Sequence, residues 1–253
     1  MTVLQSIFLG LLQGLTEFLP VSSSGHLILA QRIFGVQEDL FFDVALHVGT
    51  LFAVVIAFRK SLFQMIRHPK KDKKLLYVLL ASVPTFAVAA LVKFLLPTAF
   101  TEGLFLPIGF AATIVFLVVS HFCYKPTTRI GETKLLPVLV CGLVQGVAVF
   151  PGLSRSGSTV STLKLFGVEQ TDAAEFSFLL SVPVIVGGAA VEGIEAFGGA
   201  LTTPWYCVAI GVVCAFVSGY VAISTVLRAL KNNAWIAFAV YLIVPLAISL
   251  IIL

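Results

Sequence analysis

The sequence predicts an all-α polytopic membrane protein: six transmembrane helices plus two re-entrant helix hairpins, arranged as an inverted-topology internal repeat. Three observations carry this. Of the 253 residues, 59% are hydrophobic and 11% charged, with a mean hydropathy of +1.07; soluble domains run near roughly 45–50% apolar and 25% charged. The apolar runs are long and continuous, whereas barrel strands would alternate apolar and polar residues. In lipid the backbone must be satisfied internally, so continuous runs mean helices. Finally, the basic residues gather in alternate connections.

In chain order, segment 1–36 is apolar but broken by Pro, Gly and Ser. It is not a cleaved signal, because it lacks a basic n-region and Gln5, Gln13 and Glu17 interrupt it. Six stretches then have the length of about 20 apolar residues that a span needs: 40–58, 75–96, 104–123, 172–191, 205–227 and 234–253. The connection after the first carries Arg59, Lys60, Arg67, Lys70, Lys71, Lys73 and Lys74. Lys125, Arg129 and Lys134 follow the third span, and Arg228 and Lys231 follow the fifth. The other connections, "QEDL" (37–40), "PTAFTEG" (97–103) and "VEGIEAFGGALTTP" (191–204), are acidic or neutral. Basic loops stay cytoplasmic, so the first span runs inward and the last ends outside.

Segment 134–170 then begins and ends on the cytoplasmic side, and reads as a re-entrant hairpin. Segment 1–36 is its counterpart from the outer side, with a full span as the open alternative. The chain is one membrane domain, 1–253, with repeat 1 about 1–124 and repeat 2 about 134–253. The net charge of +4 follows loop position and implies no nucleic-acid partner. Cys123, Cys141, Cys207 and Cys214 lie in or beside apolar segments without metal-ligand spacing and read as small buried residues.

The repeat rests on the two breaks. "QGLTEFLPVSSSGH" from Gln13 and "QGVAVFPGLSRSGS" from Gln145 align without a gap at Gln13/Gln145, Gly14/Gly146, Phe18/Phe150, Ser22/Ser154, Ser24/Ser156 and Gly25/Gly157. The same offset pairs Asp43 with Glu175. Inverted repeats with discontinuous helices bind ligands near the midplane, at the repeat interface.

Each break runs through Pro and small hydroxyl residues into a resumed helix, "LILAQRIFG" or "TVSTLKLFG". Ser22, Ser24, Ser154, Ser156, Gly157 and Thr159 therefore stand at helix starts, where caps and free N–H groups favour an anion. Arg155 adds a planar cation whose fork fits phosphate. An intramembrane charge is a functional residue by default. Gln13 and Glu17 share a helix face, and Glu17 has three roles open to it: partner of Arg155, ligand of a divalent metal, or base. His26 follows the serines. His47, inside the first span, is the second histidine candidate, and no histidine follows His121. Asp43 and Glu175 read as interfacial helix-start residues or as site residues. The set suits phosphoester cleavage: a serine to attack or hold phosphorus, Glu or His to move the proton, and Arg with a metal to hold the developing charge. The rival class is a secondary transporter or flippase of an anionic lipid, which the architecture alone would favour.

Those same stretches, "QGLTEFLPVSSSGH" and "PGLSRSGST", with "FFDVALHVGTLFAV" and "EFSFLLSVP", resemble the bacterial undecaprenyl-diphosphate phosphatase family, the bacitracin-resistance proteins. The resemblance covers essentially the whole chain. It implies a bacterial membrane enzyme that hydrolyses undecaprenyl diphosphate to the monophosphate and phosphate, with a divalent cation, Mg²⁺ or Ca²⁺, as cofactor; because the first hairpin enters from outside, the site is expected to open to the outer face of the plasma membrane. Carried over, its Glu/Gln-x-x-x-Glu motif falls on Gln13 and Glu17, its serine nucleophile on Ser23, its histidine on His26 and its phosphate-binding arginine on Arg155. Gln13 stands where some members have Glu, which leaves Glu17 as the only carboxylate of that motif. The partners are then a prenyl diphosphate substrate, membrane lipids and, as an open case, a second copy in a homodimer. The phosphatidic-acid-type phosphatases share S-G-H and S-R elements but need a histidine after the S-R, and none follows Arg155.

Overall fold

The computed structural model describes residues 1–36, 39–69, 72–96, 105–197, 203–231 and 234–252. Among them the chain is helical, with a single isolated bridge between Thr128 and Val168 and no named strand. The helices are α1 (Val3–Phe18), α2 (Ser23–Ile33), α3 (Leu40–Ala57), α4 (Arg59–Arg67), α5 (Lys74–Leu95), α6 (Leu106–Phe122), α7 (Leu135–Val147), α8 (Arg155–Leu165), α9 (Gln170–Phe197), α10 (Trp205–Lys231) and α11 (Trp235–Ile252). Five of them, α3, α5, α9, α10 and α11, are long and apolar enough to cross a membrane. The remaining expected span, 104–123, is the 17-residue α6, which at 1.5 Å per residue reaches about 25 Å.

The connections differ from expectation in two places. Residues 59–67 were expected to be loop and form α4, because Leu62, Met65 and Ile66 recur at helical spacing; Met65 is buried while Phe63 and Ile66 stay exposed. The connection expected from residue 191 instead continues α9 to Phe197. The acidic "QEDL" residues Gln37 and Glu38, all of 97–103, and 198–202 lie outside the described residues. Cys141 and Cys207 are buried and Cys214 half-buried, as expected, but Cys123 is exposed because it caps the end of α6.

Both breaks are written in local chemistry. Helix α1 opens on a capping box between Thr2 and Gln5. It stops at Leu19, which is extended (ψ 145°) because Pro20 disfavours helical geometry in the residue before it. Ser22 then caps α2, its Oγ accepting from the Gly25 N–H at 3.4 Å. Helix α7 ends at Val147, the chain turns at Gly152 (φ 85°), and Ser154 caps α8 by accepting from Gly157 N–H at 3.1 Å. The two resumed helices end alike. Gly35 (φ 61°) and Gly167 (φ 80°) are both left-handed, and Val36 and Val168 each donate back to a carbonyl five residues earlier. The starts of α1 and α7, the starts of α2 and α8, and these two glycines are separated by one and the same offset.

Packing crosses the middle of the sequence. Helix α1 lies mainly on α10, and α7 mainly on α5. The contacts are close because each pair presents a small-residue stripe. A Cβ on Gly10 would meet Gly211 O at 2.4 Å, and one on Gly14 would meet Ser218 Oγ at 2.0 Å. In α7, a Cβ on Gly142 would meet Ala81 O at 2.2 Å, and one on Gly146 would meet Val88 Cβ at 2.6 Å. Helices α3 and α9 pack on each other, as do α6 and α11. The two breaks thus meet in the interior.

Candidate active site

Glu17 is the hub. It lies in the last turn of α1 with its side chain 4% exposed, and Arg155 NH2 pairs with its Oε1. Its Oε2 accepts from Ser23 Oγ at 2.6 Å and from Gln13 Nε2 at 3.0 Å. His47 Nε2 stands 3.8 Å from the same oxygen. Each group arrives for a structural reason. The Pro20 break turns the chain so that Ser23, the first residue of α2, comes back over Glu17. Arg155 is the first residue of α8, so the fold sets the two resumed helix starts against the same carboxylate. His47 is aimed from α3 because its Nδ1–H is donated to Asp43 O at 2.8 Å.

The breaks are also tied directly: Ser156 Oγ donates to Leu19 O at 3.0 Å. Gly157 fits here because its Cβ position lies 3.2 Å from Pro20 Cβ. The second break is held from outside by Thr113 on α6, which accepts from Ser154 N–H at 2.8 Å and donates to Gly152 O at 3.0 Å. Thr159 bonds Arg155 O at 2.8 Å and Ser177 Oγ at 2.6 Å. Ser22 and Ser24 sit 3.4 Å apart, as do Ser154 and Ser156.

Of the expected residues, the structure therefore brings together Gln13, Glu17, Ser23 and Arg155, adds His47, and ranges Ser22, Ser24, Ser154, Ser156, Gly157 and Thr159 along the two helix starts. His26 faces elsewhere. Its Nδ1 is 2.7 Å from Ser22 O and its Nε2 is 2.9 Å from Tyr241 Oη. Asp43 accepts from Gln31 Nε2 at 2.9 and 3.2 Å. Glu175 accepts from Ser61 Oγ at 2.7 Å and pairs with Lys74 at 3.0 Å. Tyr241 had no sequence signal, lying in an uninterrupted apolar span.

A divalent cation takes oxygen donors. Gln13 Oε1 is buried beside Glu17 and has no hydrogen-bond partner, so the donors present fit such an ion. Among the described residues no group of three His, Cys, Asp or Glu side chains is placed to hold a metal, so further ligands of such an ion would be other oxygens, from water or a substrate.

Chemically, a carboxylate poised on a serine hydroxyl, beside a guanidinium and two helix N-termini, can take up the serine proton and hold a phosphoryl anion. The family model for bacitracin resistance protein BacA matches residues 6–248 of the chain. An undecaprenyl-diphosphatase of Treponema denticola is 38% identical, over 99% of this chain and 97% of its own. One of Carboxydothermus hydrogenoformans is 36% identical over 96% and 95% respectively, and one of Methanobrevibacter smithii 35% identical over 95% and 94%.

Proposed function

Because the chain belongs to the bacitracin resistance protein family, we infer that it is an undecaprenyl-diphosphatase, which dephosphorylates undecaprenyl diphosphate, recycles the lipid carrier of cell-wall synthesis and gives bacitracin resistance. The observation that carries the mechanism is Glu17 standing between Ser23 and Arg155. The diphosphate draws the Arg155 fork from Glu17 and lies across the N-termini of α2 and α8. Ser23 Oγ attacks the terminal phosphorus as its proton passes to Glu17 Oε2. The bond to the lipid phosphate breaks, undecaprenyl phosphate departs, and water then frees phosphate from Ser23. Arg155 meets charge that grows in the transition state, so it lowers the barrier rather than merely binding. Gln13 and Glu17 would hold a bound Mg²⁺ or Ca²⁺, which would neutralise diphosphate charge.

The purified protein in detergent is expected to release phosphate from a prenyl diphosphate, and wild type quenched during turnover on terminally labelled substrate is expected to carry label on Ser23. Absence of release overturns the reading; release without label on Ser23 moves the attack to water.

The same proposal includes the topology. Six helices span the plasma membrane of a bacterium, α1–α2 and α7–α8 are re-entrant hairpins, and the halves are inverted repeats. The matched helix starts and the exchange of partners, α1 on α10 and α7 on α5, support it. The site then opens outward. An impermeant thiol reagent is expected to label Val36→Cys in intact cells and to miss Lys73→Cys; the opposite pattern reverses the orientation.

A further inference from the structure

We infer that His26 is a positioning residue that shapes the turn before Ser23, and that Tyr241 on α11 holds it there. The inference rests on the hydrolysis proposed above.

Ser22 is the one non-glycine residue at positive φ among those described, at φ 71° and ψ 98°. Such backbone is disfavoured for L-residues and persists where its surroundings over-determine it. Here the Ser22 carbonyl accepts twice from one residue: from the His26 N–H at 3.2 Å and from its ring Nδ1 at 2.7 Å. A carbonyl only accepts, so Nδ1 carries the hydrogen. In the neutral ring Nε2 then offers a lone pair, and the Tyr241 hydroxyl donates to it at 2.9 Å. The two rings are within 7° of parallel, and Phe110 meets the imidazole edge-on at 5.7 Å. Both nitrogens are thus spent inside the protein, while Ser23 already has an acceptor in Glu17.

The second break supplies the contrast. Its cap, Ser154, is relaxed at φ −70° and ψ 117°, and the residue corresponding to His26 is Ser158, bonded to Arg155 O at 3.1 Å. The imidazole occurs where the strained turn occurs. Its effect on Ser23 passes through the Ser22 backbone, and Tyr241 holds the other ring nitrogen from the far end of the chain.

Two substitutions separate this from proton transfer. Asparagine places its amide N–H near the Nδ1 position and glutamine near Nε2, and neither side chain takes up or releases a proton near neutral pH. A proton-moving histidine contributes about 10²–10⁴ in rate. His26→Asn is expected to keep kcat within about tenfold of wild type with the same pH profile, and His26→Gln to fall below it by about 10² or more. Tyr241→Phe is expected to lower kcat about three- to tenfold with KM unchanged, the size of one lost hydrogen bond. His26→Asn as inactive as His26→Gln would overturn the assignment, and normal kcat in Tyr241→Phe removes Tyr241 from it. Should the asparagine variant fail to fold, imidazole ¹⁵N shifts of the wild type decide: with four histidines in the chain, His26 is expected as the Nδ1–H tautomer, and an Nε2–H tautomer refutes the proposal. Wild-type phosphate release reports separately on the underlying hydrolysis.

Discussion

The break before α2 and the break before α8 have serine caps, a following glycine and identical helix ends, yet corresponding positions hold different chemistry. Glu17 faces Val149 in the alignment, Ser23 faces Arg155, and His26 faces Ser158. The first break carries the acid, the hydroxyl and the strained cap. The second carries a single cation on a relaxed one. The shared part is what any anion needs, N–H groups at two helix starts. The differing part is what bond cleavage adds. Neither break contains a complete set, so the site exists only where the halves meet.

The sharpest way to break this division is at Ser23. Ser23→Ala removes the hydroxyl on Glu17 and is expected to lower turnover by on the order of 10⁴ or more, leaving binding and electrostatics; phosphate release measures it. Substantial residual turnover would move the chemistry of the first break from serine to water. Arg155→Lys tests the second break. It keeps the charge but loses the fork, and an expected loss of about 10²–10³ matches removal of one preorganised donor. Near-normal turnover would reduce Arg155 to a point charge, and failure to insert would make its pair with Glu17 structural. Gln13 and Gln145 offer an internal control, since both have a buried amide oxygen without a partner. Gln13→Ala is expected to raise the Mg²⁺ concentration for half-activation by about tenfold, and Gln145→Ala to leave it unchanged. Equal shifts would mean that the two glutamines share a packing role. The smallest effect belongs to the seam: Ser156→Ala loses the bond to Leu19 O and is expected to cost about 1 kcal/mol of stability, read as a lowered midpoint of thermal unfolding.

Much of this was legible beforehand, for local reasons. Pro20, Gly152 and the capping serines act within a few residues of themselves, so both breaks, their caps and their common register could be read from the chain. The pairing of Glu17 with Arg155 was one of three roles open to that carboxylate; choosing among them needed the placement of α1 and α2 against α8. His47 approaches Glu17 through the rotation of α3, which no local signal sets. Tyr241 is one ring in an apolar span, and only the packing of α11 brings it to His26. Lys164 shows the same limit of local signals. A lysine in a last helical turn ordinarily reaches water and the helix dipole, but this one is 1% exposed and lies between the rings of Tyr124 and Trp235, at 4.8 and 4.7 Å.

The close seam between α1 and α10 bears on how the protein is made. Gly10 and Gly14 pack against Gly211 and Ser218 too closely for a side chain, and that stretch of α10 is among the last parts of the chain to be synthesised. At ordinary elongation rates the first helix waits roughly 10–40 s for it. During that interval Glu17 has no Arg155 for much of the time, and the glycine face is open to lipid or to a neighbouring nascent chain. The close packing of α1 on α10 is therefore completed only after most of the chain has been made.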